Sequence, residues 1–114
     1  GDRASVLAGT ADVVLPTLML GGKGAIIAVA NVAPRLCSAL YENFKGGKPE
    51  ASSELQRRVS YINEVLVRRH NQLSAIKAAL NMKGLLGGYP RKPTAPLEEN
   101  EKKEIKEILK TSEF

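Results

Sequence analysis

Few residues in this 114-residue chain could carry chemistry, and the position of most of them argues against it. Gly21-Gly22-Lys23-Gly24 supplies glycines and an amine, the ingredients of a phosphate loop or of a nucleophilic lysine. A phosphate loop, however, follows a strand and opens a helix, so that helix amides face the anion. Here the glycines close one apolar segment and open another, without the G-x-x-x-x-G-K-[ST] spacing, so a tight αβ turn is expected. The same polarity puts Lys23 at the N-terminal end of its strand, whereas parallel sheets with helical crossovers do their chemistry at the C-terminal ends. His70 stands beside Arg68 and Arg69 with no His or Cys at ligand spacing, so it reads as a surface or packed histidine and no metal is expected. Cys37 lacks a neighbouring His and reads as a packed thiol. The carboxylates gathered near the C-terminus occupy a solvated face and provide no acid/base pair. What remains are the strand ends: Gly9-Thr10 after the first, and Val29 to Asn31 after the second. Gly9 would let a ligand approach the backbone or would simply make a turn. Asn31 is expected to tie down the loop before Pro34.

These positions need elements to hold them. Residues 5–8 and 24–29 are short apolar runs without alternation, which predicts strands buried on both faces, as in a parallel sheet. Residues 12–20 between them have the length and leucine content of a helix, with Thr10 or Asp12 as its cap and Gly21-Gly22 as its stop. Strand, helix and strand make one βαβ unit, with a right-handed crossover expected. From Pro34 onward the pattern is helical. A helix starting at Pro34 runs through Leu36, Leu40 and Phe44 and is stopped by Gly46-Gly47. Leu55, Val59, Ile62, Leu66 and Arg69 recur at helical spacing and predict one long amphipathic helix over 50–72. A shorter helix over 74–83 follows, then a Gly- and Pro-rich loop over 87–96. A last helix over 98–111 has acids at its start and Lys110 near its end, which suits the helix dipole.

Net charge is +5, from 17 basic against 12 acidic residues. The basic residues, among them Arg57, Arg58, Lys102, Lys103 and Lys106, are dispersed among acids without an aromatic platform for bases. A solvated face is therefore predicted, with no nucleic-acid partner. No apolar run approaches the roughly 18 residues of a membrane span, and the single cysteine excludes an internal disulfide, so a cytoplasmic protein is expected. The chain opens Gly1-Asp2-Arg3, as a processed or excised piece would.

Three segments, Leu7-Ala8-Gly9-Thr10-Ala11-Asp12, Leu20-Gly21-Gly22-Lys23-Gly24-Ala25-Ile26 and Val29-Ala30-Asn31-Val32-Ala33-Pro34, stand in order. Together they resemble the seventh and eighth βα units of the dihydrodipicolinate synthase and N-acetylneuraminate lyase family. Ile76-Lys77-Ala78-Ala79-Leu80-Asn81-Met82-Lys83-Gly84-Leu85 resembles that family's penultimate helix, and Arg91-Lys92-Pro93-Thr94-Ala95-Pro96-Leu97 the loop into its last helix. The resemblance implies an α/β fold class: the C-terminal part of a (β/α)₈ TIM barrel, strands 7 and 8, followed by a mostly helical region. Residues 1–33 would form the last βαβ unit, and 34–114 the final barrel helix and C-terminal helices.

The activity implied is that of a class I aldolase or lyase. A lysine forms a Schiff base with pyruvate, and the iminium is the electron sink for making or breaking a C–C bond to an aldehyde. No cofactor is implied, and assembly as a homo-tetramer is. The lysine and a proton-relaying tyrosine belong to strands that would precede Ser5, so no catalytic residue is expected in these 114 residues, which are expected to be inactive alone. Substrate-binding residues carried over are Gly9, whose backbone would lie near the substrate, Thr10, facing its distal end, and Ile26, bordering the lysine. Ala11 and Ala28 stand where sialic-acid lyases place polar groups, which argues against a sugar acid. Thr10-Ala11, residues 28–32 and Gly87-Gly88 resemble 4-hydroxy-2-oxoglutarate aldolase somewhat more. The alternative from another class is a weakly basic, non-catalytic helical module for interaction or assembly.

Overall fold

Residues 3–111 are described in the structure, a computed structural model. Two short parallel strands, β1 (Leu7–Ala8) and β2 (Gly24–Ala25), pair in the register Leu7 with Gly24 and Ala8 with Ala25. The ladder reaches further than the strands: Lys23 N donates to Val6 O at 2.8 Å and Ile26 N to Ala8 O at 2.9 Å. A 3-10 turn (Ala11–Val13) and helix α1 (Val14–Met19) join them, completing the predicted βαβ order. A second 3-10 turn (Ala28–Asn31) leads into α2 (Pro34–Lys45), α3 (Pro49–Asn63), a π turn (Glu64–Arg68), α4 (Gln72–Met82) and α5 (Glu99–Thr111).

Helix α1 closes on glycine for a reason visible in its hydrogen bonds. Gly21 adopts φ +94°, Gly21 N donates to Leu18 O at 3.1 Å and Gly22 N to Thr17 O at 2.8 Å. That is a Schellman closure, which needs a residue free to enter the left-handed region. The glycines therefore end a helix and lead into a strand, as expected of an αβ turn.

Four expectations need correction. The second strand does not extend over 24–29: the chain leaves the ladder after Ile26 and turns at Ala28–Asn31. The turn puts Val29 and Val32 fully inside the helical core, which outweighs extension along a ladder with one neighbour. The strands are also not buried on both faces within this chain. Ala8 is buried, but Val6, Leu7 and Ile26 remain exposed, Ile26 to 76%, because only one face meets helices.

The helix predicted over 50–72 is not continuous. It passes into the π turn, where Arg69 N reaches back five residues to Glu64 O at 3.0 Å. The extra residue rotates Arg69 off the apolar face on which its spacing placed it, and its side chain is 48% exposed. The chain then bends, and Asn71 caps α4, its Oδ1 accepting from Leu73 N at 3.1 Å and Ser74 N at 3.2 Å. The helix therefore starts at Gln72 rather than at 74.

One apolar cluster joins both halves of the chain. Leu40, Val59, Ile62, Val65, Leu66 and Ile105 are all buried in it, and Val29 and Val32 enter it from the turn after β2. Among the described residues, no helix is long and apolar enough to cross a membrane.

Candidate functional site

The C-terminal ends of β1 and β2 lie side by side. Continuing the ladder register sets Gly9 beside Ile26, with the Ile26 amide already bonded to Ala8 O. All three residues singled out from sequence, Gly9, Thr10 and Ile26, are exposed at this rim. A Cβ placed on Gly9 would meet nothing within 4 Å, so packing inside this chain does not demand glycine there. Lys23 bonds through its backbone to Val6 O at the opposite end of the ladder.

Thr10 occupies the cap position of the first 3-10 turn, but its side chain makes no capping bond. Its hydroxyl instead donates to Asp12 Oδ1 at 2.8 Å, and the other Asp12 oxygen accepts from Arg68 Nη1 at 3.1 Å. From α3, Gln56 grips the same segment: Nε2 donates to Ala11 O at 2.8 Å, and Oε1 accepts from Leu15 N at 2.7 Å. The second rim loop is held from inside and outside. Asn31 Nδ2 donates to Ala28 O at 3.1 Å, the tethering role expected of it, and Lys83 Nζ donates to Val32 O at 2.6 Å. Sequence reasoning missed Gln56, Arg68 and Lys83 as rim supports. Each acts across 41 to 56 residues of chain, and no local pattern marks such a contact.

His70 is paired with the last helix. It is packed, its side chain 9% exposed, with Nε2 2.7 Å from Glu104 Oε2 and Nδ1 3.3 Å from Glu101 Oε2. Arg69 binds Glu104 beside it and approaches Glu64 at 3.6 Å. The π turn and the bend after it thus reach the rim through Arg68 and α5 through Arg69 and His70. Among the described residues, no three His, Cys, Asp or Glu side chains come together as a metal-binding group. Burial pushes the Cys37 thiol up to about 11, which keeps it protonated and unreactive near neutrality, as befits a packed cysteine.

Two carboxylates on α5, Glu101 and Glu104, are held below their ordinary value of 4.5. For Glu104 the leading cause is its hydrogen bond with Arg69, followed by that with His70; for Glu101 it is the Glu98 amide. Groups whose folded pKa is depressed bind fewer protons in the folded state than in the unfolded one. Their stabilisation is present above pH 4.5 and is lost as pH falls through the folded values. Backbone amides of α5 are expected to exchange faster below pH 4.5, after correction for intrinsic rates, than those of α3. Equal protection of both helices down to acid unfolding would refute this.

Two of the cavities among the described residues adjoin these elements. One of about 350 Å³ lies between α4, the Pro-rich loop and α5. Its polar groups already serve the loop: Lys77 Nζ donates to Gly87 O at 3.0 Å, Ser74 Oγ to Ala95 O at 2.6 Å, and Asn81 Oδ1 accepts from Gly87 N at 2.9 Å. The other, about 340 Å³, lies between β2 and α2, with an apolar lining that includes Ala25, Ile27, Leu40 and Tyr41.

Comparison with known proteins places this arrangement. The sequence model of the Dihydrodipicolinate synthetase family matches residues 1–112. The chain is 40% identical over 113 residues to a 4-hydroxy-tetrahydrodipicolinate synthase of Archaeoglobus fulgidus, covering 99% of this chain and 39% of that protein. It is 33% identical over 109 residues to the enzyme of the same name from Methanopyrus kandleri, covering 96% and 36%. Among solved structures it is similar to dihydrodipicolinate synthase from Thermotoga maritima, with a TM-score of 0.85 and 31% identity over 94% of this chain and 36% of that one. Aquifex aeolicus dihydrodipicolinate synthase matches at 0.86 and 28%, covering 97% and 38%. The chain thus spans well under half the length of these relatives.

Proposed function

The chain belongs to the dihydrodipicolinate synthetase family, and from that premise we propose that it supplies the seventh and eighth βα units and the C-terminal helices of a pyruvate-dependent Schiff-base lyase. The observation that carries this reading is the meeting of Gly9, Thr10 and Ile26 at the C-terminal ends of two parallel strands, beneath open space. In a closed (β/α)₈ barrel that end is the catalytic face. The exposed Val6, Leu7 and Ile26 and the apolar cavity beside β2 support the same reading, since they are the surfaces that neighbouring strands and helices of a barrel cover. On this proposal residues 1–33 are barrel and 34–114 are the final barrel helix and the helical region after it.

The chemistry divides accordingly. An upstream lysine amine adds to the 2-oxo carbonyl of pyruvate and water leaves, giving an iminium. Loss of a methyl proton gives an enamine, whose carbon attacks the carbonyl carbon of an aldehyde, and hydrolysis of the product imine returns the lysine. Gly9 and Ile26 border the nascent imine, and Thr10 faces the aldehyde's distal end. The assembly proposed is a cytoplasmic homo-tetramer.

Borohydride reduction in the presence of pyruvate tests the proposal. In the full-length protein, one lysine outside these 114 residues is expected to be trapped as a stable adduct, while the 114 residues alone give none and no aldol activity. A folded full-length sample that yields no adduct would sink it.

A further inference from the structure

The hydrogen bonds at the rim carry more than support. A threonine hydroxyl has one proton and two acceptor lone pairs. In Thr10 that proton is committed to Asp12 Oδ1, 2.8 Å away. Ionised Asp12 accepts only, so it cannot take the opposite role in this bond. Asp12 is itself directed: its Oδ2 receives Arg68 Nη1 at 3.1 Å, while Arg68 Nε lies 3.8 Å from Glu64 Oε2 within the same helical segment. Gln56 bonds Ala11 O and Leu15 N on either side, which restrains the backbone of the segment that carries both side chains. With its proton spent, the exposed hydroxyl presents lone pairs to whatever occupies the space above the strand ends.

We propose that Arg68 is a positioning residue which, through Asp12, sets the polarity of the Thr10 hydroxyl, so that the rim selects aldehydes carrying a hydrogen-bond donor at the end away from the carbonyl. The inference rests on the reading of this rim as the substrate site and deepens it by naming the acceptor class. An ammonium or hydroxyl at the distal end meets an acceptor and the negative Asp12 behind it. A carboxylate there meets lone pairs and a like charge.

The test compares kcat/KM of the full-length protein for 3-aminopropanal, whose ammonium only donates, with that for succinic semialdehyde, whose carboxylate only accepts. Thr10→Val keeps shape and the Asp12 charge but removes the hydroxyl; the preference for the amine is expected to fall about tenfold, the size of one hydrogen bond to a charged group. Asp12→Asn makes a sharper prediction. Arg68 claims the amide oxygen, the amide N–H₂ then donates to Thr10, and the hydroxyl must donate outward. That variant is expected to prefer the carboxylate. Arg68→Met lowers the preference part of the way, and Arg68→Lys restores it. These side chains are exposed or only partly buried, and solvent-exposed ion pairs of this kind contribute little to stability, so the variants fold.

Pyruvate trapping, measured on every variant, separates this inference from the one beneath it. Wild-type protein that traps no pyruvate overturns the reading of the site, and this inference with it. Retained trapping with a substrate preference unmoved by Thr10→Val, or unmoved by Asp12→Asn, overturns the inference alone.

Discussion

Leu66→Ala is expected to lower the unfolding free energy by about 2–5 kcal/mol, the range for emptying a well-packed leucine site. Leu66 is fully buried within the π turn, and that turn contacts α3, α4, α5 and the 3-10 turn after β2. The site has little freedom to collapse, because Val65, Ile62 and Ile105 around the same core are themselves fully or almost fully buried and the helices bearing them are fixed elsewhere. Domains have only about 5–15 kcal/mol in total, so the loss is a large share. It should appear as a lower urea midpoint at an unchanged slope. A midpoint shift worth less than about 1 kcal/mol would mean that the π turn repacks, and that it is not the rigid junction described above.

Gly22→Ala is the second. A Cβ on Gly22 would lie 2.5 Å from Thr17 Cγ2 and 2.7 Å from Thr17 O. The methyl group cannot simply rotate away, because Thr17 Oγ1 is anchored to Val13 O at 2.7 Å. Nor can the carbonyl, which accepts the Gly22 amide and closes α1. The added carbon therefore opens that closure, at a cost of about 1–3 kcal/mol typical of overpacking. It also displaces the start of β2, and with it Ile26 at the rim. Gly24→Ala is the matched control: its Cβ would meet only Leu7 Cδ2, at an ordinary 3.6 Å. Thermal melting of the two variants should separate them clearly. Equal melting temperatures would refute the steric argument.

These contrasts also show where a sequence is readable. Pro34 and Gly46-Gly47 bracket α2 at the boundaries observed, because proline at a first helical turn and glycine past a last one are local chemistry. Gly21-Gly22 disclosed an αβ turn for the same reason, and with it the polarity that sets Lys23 at one end of the ladder and Gly9, Thr10 and Ile26 at the other. The π turn left no such mark. Ile62 and Leu66 keep helical spacing across its start, and the residue it displaces, Arg69, has a long enough stem to pass for part of an apolar face. The end of β2 was hidden because Ile27, Ala28 and Val29 suit a strand as well as they suit the turn that buries Val29. The rim contacts of Asp12 with Arg68 and of Gln56 with Ala11 were out of reach for another reason: they depend on how α3 and the π turn lie against the first 3-10 turn, which periodicity along one segment does not encode.

The π turn bears finally on how this stretch of chain can change length. Removing one residue between Glu64 and Arg68 would heal the helix into a more regular one and improve its hydrogen bonding. Everything beyond the deletion would then swing by about 100° around the axis. Arg68 would turn away from Asp12, and Arg69 and His70 from the glutamates of α5. Here a single codon lost would cut the rim's tie to the helical region while leaving the local helical preference better satisfied than before.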